Sequence, residues 1–166
     1  DAGVLAGDRI EHAAVVPGDC VGDLADLTVT VVTQPNFVAE RGDEYRAEVP
    51  AAQHHDLWRV ASLMAAGVPV ALSTDTPFGD GDPWASMRAA VHRRTPGGTV
   101  LGAAERITPE AALRGFLGRA DRPAEPRRIV PGAPGDLCVL SGPPDQVLGE
   151  LDAGLVSATV IAGEFA

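Results

Sequence analysis

Val68-Pro69-Val70-Ala71-Leu72-Ser73-Thr74-Asp75 is an unbroken apolar run that stops abruptly in three polar residues. A strand with one wet face alternates, whereas a strand apolar throughout is buried on both faces, as in a parallel sheet covered by helices. Gly67 fits the C-cap of a preceding helix, expected from Asp56 onward, where Leu57, Val60, Ala61, Leu63 and Met64 share one face. Further upstream, Thr28 to Thr33 is β-branched throughout and reads as a second strand, broken by Gln34-Pro35-Asn36. Val21, Leu24 and Leu27 have helical spacing, and Asp8 to Ala13 reads as a brief first strand. The polar stretch from Phe37 to about His55 shows little periodicity and is expected to be a long loop, of the kind that forms lids or binding loops.

Downstream of the decisive run, a Gly/Asp/Pro-rich loop leads to a helix from Pro83 to about Arg94, with proline in the first turn. Thr108-Pro109-Glu110 repeats that logic and starts a helix to about Gly118. Residues 120–135 are rich in Pro, Arg and Gly and are expected to be a loop. Asp136 to Leu140 and Ala158 to Ala162 read as terminal strands around a short helical piece near Gln146 to Leu151. Strands alternating with helices imply parallel βα units and an α/β fold.

Composition narrows the function classes. The chain has 166 residues and a net charge of −10, and every basic residue is Arg. So acidic a chain repels phosphate backbones, which argues against a nucleic-acid partner. No stretch approaches the roughly 20 apolar residues that span a bilayer, so no membrane partner is expected. Cys20 and Cys138, far apart, read as reduced, buried thiols and suggest a cytoplasmic protein.

Ionisable side chains at the C-terminal ends of parallel strands are where α/β barrels keep their chemistry. His12 ends the first strand and Asp75 the third. An imidazole is a good zinc ligand; a carboxylate can bind metal or accept a proton from water. Against this stand a hydrogen-bonded structural role for His12 and a turn or N-cap role for Asp75. Trp58 and Trp84 read as packing residues, with Trp84 also a candidate substrate wall because it follows the third strand. His54 and His55 read as exposed loop residues, His92 as a cation late on a helix, and Gly79-Asp80-Gly81-Asp82 as a turn without the calcium-loop pattern.

Arg9-Ile10-Glu11-His12-Ala13 resembles the amidohydrolase superfamily, in particular its amidohydrolase-3 group. Further segments agree in order: Val32-Thr33-Gln34-Pro35, Ala71-Leu72-Ser73-Thr74-Asp75-Thr76-Pro77, Asp82-Pro83-Trp84, Arg106 to Leu113 and Gly132 to Leu137. The resemblance implies that His12 is the sixth-strand metal ligand. It makes Asp75 the eighth-strand aspartate, which binds metal and takes a proton from the attacking water. The implied cofactor is a divalent metal, zinc above all, and the implied substrate is a small amide-like molecule cleaved at a C–N bond by metal-activated water. The implied fold is the last three βα units of a TIM-type barrel over residues 1–125, an incomplete barrel, followed by terminal strands of a small β-sandwich over 126–166. The group's first-strand His-x-His pair, its bridging carboxylate or carbamylated lysine and its fifth-strand histidine have no counterpart here. The chain is therefore expected to be the C-terminal part of a hydrolase, inactive alone, associating with the missing N-terminal part or oligomerising. The other reading is a non-catalytic scaffold or interaction fragment that self-associates through exposed barrel strands.

Overall fold

The computed structural model describes residues 3–5 and 7–166. Three short strands form a parallel sheet in chain order: β1 (Arg9–Glu11), β2 (Thr30–Thr33) and β3 (Val70–Leu72). Glu11 pairs with Val32, and Thr33 pairs with Leu72. Helix α1 (Cys20–Leu27) connects β1 to β2; α2 (Asn36–Glu48) and α3 (Ala61–Ala65) lie between β2 and β3; α4 (Pro83–His92) and α5 (Pro109–Phe116) follow. Val31, Val70 and Leu72 pack with Val60, Leu63, Met87, Ala90 and Ala112 in the main core. The decisive run is thus buried where its apolar composition requires. β1 differs from that pattern, because all three of its residues are exposed.

Beyond α5, a hairpin pairs β4 (Gly118–Arg119) with β5 (Arg122–Pro126). An antiparallel sheet then runs β6 (Leu137–Leu140), β7 (Val156–Ile161), β8 (Glu164–Phe165), with α6 (Pro144–Glu150) between β6 and β7. Val147 and Leu151 from this segment join the main core, so the terminal strands are anchored to the same hydrophobic cluster as the parallel sheet.

Four expectations need correction. The stretch after Asn36 is no loop: residues 36–48 form a helix of 13 residues. Its inward face is Asn36, Phe37, Val38 and Gly42, too small and polar to produce an apolar period. Gly42 is required there, since a Cβ would sit 2.6 Å from Thr95 Cγ2. The helix expected from Asp56 begins only at Ala61. Residues 120–135 are not all loop, because β5 lies among them; its two prolines hide it, as Pro is rare in strands away from edges. Cys20 and Cys138 are exposed rather than buried, one opening α1 and the other opposite Thr159 on β6.

The late start of α3 has a cause in buried charge. Arg93, wholly buried, donates from Nη2 to the Leu57 carbonyl at 2.9 Å, from Nη1 to Trp58 at 2.8 Å and from Nε to Leu101 at 2.7 Å. Carbonyls turned toward a guanidinium are unavailable to a helical ladder, and Trp58 takes a left-handed backbone (φ 49°). Burial pushes the Arg93 guanidinium down to about 10, with Glu105 opposing. Glu105 then supplies the cap that α3 lacks locally: its carboxylate accepts from Val60 N–H and Ser62 N–H, each at 3.0 Å, and from the Ser62 hydroxyl at 2.7 Å. Arg59 Nη1 adds a fourth donor at 3.2 Å. A second cluster of Phe37, Val38, Leu57, Trp58 and Leu101 forms around this framework.

Burial alone would raise the Glu105 carboxyl, but the donors from Ser62, Val60 and Arg59 outweigh it and hold the group below its ordinary range. A carboxyl lowered in the fold stabilises above its ordinary range, and that contribution is lost as pH falls through the lowered folded value. Glu105→Gln is expected to cost about 2–4 kcal/mol near neutral pH, since it breaks a buried charged network, and to flatten the acid limb of the stability profile. Urea unfolding of both proteins as a function of pH checks this.

Candidate metal and proton-transfer site

Parallel strands bring their C-terminal ends to one edge, and in this sheet those ends carry polar residues. His12 follows β1 and donates its main-chain N–H to the Val32 carbonyl at 2.8 Å. Gln34 follows β2, is 2% exposed, and places Oε1 3.0 Å from His12 Nδ1. Its amide Nε2 donates to Ser73 Oγ at 2.7 Å, across to the exit of β3. Ser73 N–H in turn donates to the Thr33 carbonyl at 3.0 Å. One buried amide therefore links the exits of all three strands.

Asp75 stands two residues beyond Ser73 and is half-buried. Its carbonyl accepts from Phe78 N–H at 2.8 Å and Gly79 N–H at 3.0 Å, so the chain turns sharply at this residue. That turn is fastened from α2: Asn36 Nδ2 donates to the Thr74 carbonyl at 3.2 Å and to Glu40 Oε1 at 2.8 Å, and Glu40 Oε1 also accepts from Asp80 N–H at 3.1 Å. Both candidate ligands have left-handed backbone, His12 at φ 69° and Asp75 at φ 58°. Non-glycine residues in that region cost of order 1–3 kcal/mol each and persist where the surroundings over-determine them.

The other sequence-level candidates lie elsewhere. Trp84 is 7% exposed and packs in the main core, its N–H held by the Asp82 N-cap at 2.8 Å. Trp58 is buried against Phe37, with ring centroids 5.1 Å apart. His54 contacts the Val49 carbonyl at 2.9 Å and His55 contacts Asp56 at 3.2 Å, both in a 3-10 turn away from His12. His92 ends α4 and is exposed. Sequence reasoning assigned no role to Gln34, Ser73 or Asn36. For Gln34 and Ser73, the position directly after a strand end and within a motif already singled out was the signal that could have found them.

An open groove of about 410 Å³ runs along the sheet below the strand exits, lined by Arg9, Glu11, Val32, Ala71, Ser73 and Phe116 among others. Neither His12 nor Asp75 lines it. Among the described residues, no three His, Cys, Asp or Glu side chains converge as a metal site. An imidazole and a carboxylate are suitable donors for a zinc-like cation, and a catalytic zinc takes three protein ligands, one more than this pair supplies.

Two variants test the turn at Asp75. Gly79→Ala is expected to cost about 2–3 kcal/mol, because a Cβ there would overlap the Thr74 carbonyl and sit 2.7 Å from Asn36 Nδ2. Asp75→Gly is expected to leave stability unchanged or raise it by up to about 1 kcal/mol, since glycine adopts φ 58° without strain. Thermal and urea unfolding check both.

The amidohydrolase family profile matches residues 2–166. N-substituted formamide deformylase of Arthrobacter pascens is 32% identical over 161 residues, which is 93% of this chain and 30% of that protein. Two solved structures also resemble the chain, both described as uncharacterized metal-dependent hydrolases. The one from Pyrococcus horikoshii OT3 has TM-score 0.59 and 29% identity, over 66% of this chain and 23% of that one. The one from Pyrococcus furiosus has TM-score 0.56 and 30% identity, over 66% and 22%. The chain thus spans about 30% of the length of the curated relative it matches. With its family profile matched from residue 2 to residue 166, the chain belongs to the amidohydrolase family.

Proposed function

We propose that this chain is the C-terminal part of a metal-dependent amidohydrolase that cleaves a C–N bond of a small amide-like substrate with metal-activated water. The observation that carries the reading is the meeting of His12, Gln34 and Ser73 at the exits of three parallel strands, with Asp75 on the turn that follows. Residues 1–125 are read as the last three βα units of a TIM-type barrel and 126–166 as part of a small β-sandwich. His12 and Asp75 would hold a divalent metal, with zinc the first candidate because imidazole and carboxylate are among its usual ligands. Such a metal would supply Lewis acidity, polarising the amide carbonyl and lowering the pKa of water.

The rest of the chemistry belongs to the chain's own groups. The Asp75 carboxylate accepts a proton from the attacking water and returns it to the departing nitrogen, which must leave as an amine. The Asn36–Glu40 fastening of the Thr74–Asp80 turn keeps that carboxylate in place between the two transfers. Trp84 is assigned to packing beneath the site. Two ligands do not complete a catalytic zinc site, so the isolated chain is proposed to be inactive and to depend on the remainder of the barrel.

A scaffold role remains the second reading, favoured by apolar side chains left in solvent: Ile129 at 87% exposure, Phe165 at 82% and Ile161 at 58%. Metal content separates the two. About one zinc per chain after dialysis, lost in His12→Ala and in Asp75→Ala, supports the hydrolase reading. No retained metal in any of the three proteins, together with a stable oligomer by light scattering, favours the scaffold.

A further inference from the structure

Gln34 is a buried amide with both ends in use, and its orientation follows from its neighbours. Nε2 lies 3.5 Å from the Val32 carbonyl and 2.7 Å from Ser73 Oγ. A hydroxyl accepts or donates and tolerates either end of the amide, but a carbonyl oxygen faces only a donor. Val32 O therefore keeps the NH2 group on its side and turns Oε1 toward His12 Nδ1 at 3.0 Å. An amide carbonyl cannot donate, so the hydrogen in that bond belongs to the imidazole. In the neutral ring, a hydrogen on Nδ1 leaves Nε2 with its lone pair, and only a lone pair can ligate a metal.

We propose that Gln34 is the positioning residue of this site: it fixes His12 as the Nδ1–H tautomer, so that Nε2 is the ligating atom. The second half rests on the reading of His12 as a metal ligand; the tautomer itself does not. Gln34 acts through His12 and touches neither metal nor substrate. Burial at 2% exposure keeps water from competing for the Oε1 lone pairs, and the link to Ser73 ties the ring's orientation to the strand that leads to Asp75. The reversed amide would set two carbonyls against each other and present an N–H to Nδ1. That would leave Nε2 protonated and unable to bind metal.

The test is two-bond 1H–15N correlation NMR on the metal-free, 15N-labelled chain, above the titration range of histidine. With four histidines in the sequence, each ring is assignable. His12 is expected to show a protonated Nδ1 and an unprotonated Nε2. His54, whose Nε2 faces the Val49 carbonyl, serves as the control of opposite tautomer. Gln34→Met removes the acceptor and is expected to return His12 to the Nε2–H form, whereas Gln34→Glu keeps an acceptor and preserves the Nδ1–H form. A wild-type His12 in the Nε2–H form overturns the proposal, and that spectrum decides even if Gln34→Met does not fold. A tautomer unchanged in folded Gln34→Met overturns it as well. Zinc titration of the same proteins isolates the metal reading: a 10- to 100-fold loss of affinity in Gln34→Met is expected, about the size seen when a partner of a metal-ligating His is removed. A wild type that shows the tautomer and takes up no zinc upholds the positioning role and overturns His12 as a ligand that this chain can use without the rest of the barrel.

Discussion

A guanidinium with no access to water must find protein acceptors for its N–H groups, and Arg93 meets that demand with three backbone carbonyls. Much of the loop architecture follows. To offer two of those carbonyls, the chain at Leu57 and Trp58 leaves helical geometry. It then runs beside the exit of β1, with Leu57 bridged to Val15 and Trp58 N–H on the Ala14 carbonyl at 2.8 Å. Ala14 is two residues from His12. The end of α4 is thereby connected, through the second apolar cluster, to the backbone that carries the first candidate ligand.

The molecule separates two kinds of interaction by depth along the sheet. Between sheet and helices the packing is aliphatic and insensitive to pH. Outside that packing, polar side chains take over: Glu105 and Asn36 hold the backbone at Val60, Ser62 and Thr74, and Gln34 joins the side chains of His12 and Ser73. A site built on hydrogen bonds needs this second kind, because apolar packing sets shape without setting hydrogen-bond direction. The buried amide and carboxylates supply direction, at the cost of making each member hard to replace.

What was legible in the sequence was what is encoded locally. Val68 to Leu72 read as a buried strand from its own composition, and α4 and α5 announced themselves through Pro83 in the first turn and Thr108-Pro109; the Thr108 cap forms as expected, on Ala111 N–H at 3.2 Å, and Asp82 adds a cap on Trp84 N–H at 2.8 Å. Two of the failures have a nonlocal cause. Helix α2 faces Thr95 with a glycine, so hydropathy carries no trace of the contact. The shortening of α3 depends on Arg93 and Glu105, more than 30 residues downstream. The site divides in the same way. His12 and Asp75 were visible as ionisable residues at strand ends, but the Gln34 bridge depends on a parallel register that places three exits side by side, and no spacing along the chain encodes it.

The backbone is left-handed at both His12 and Asp75. A domain's net stability is only about 5–15 kcal/mol, so two residues costing of order 1–3 kcal/mol each are a real fraction of it. Neither position is glycine, the residue that would remove the cost. Strain of this kind survives only where neighbours leave no alternative, and both positions have such neighbours: Val32 and Gln34 hold His12 from the adjacent strand, while Phe78, Gly79 and Asn36 hold the turn around Asp75. An imidazole and a carboxylate, from strands that are not neighbours in the sheet, are both presented at its C-terminal edge. Relaxing either turn would favour the fold, so each is held by the contacts around it.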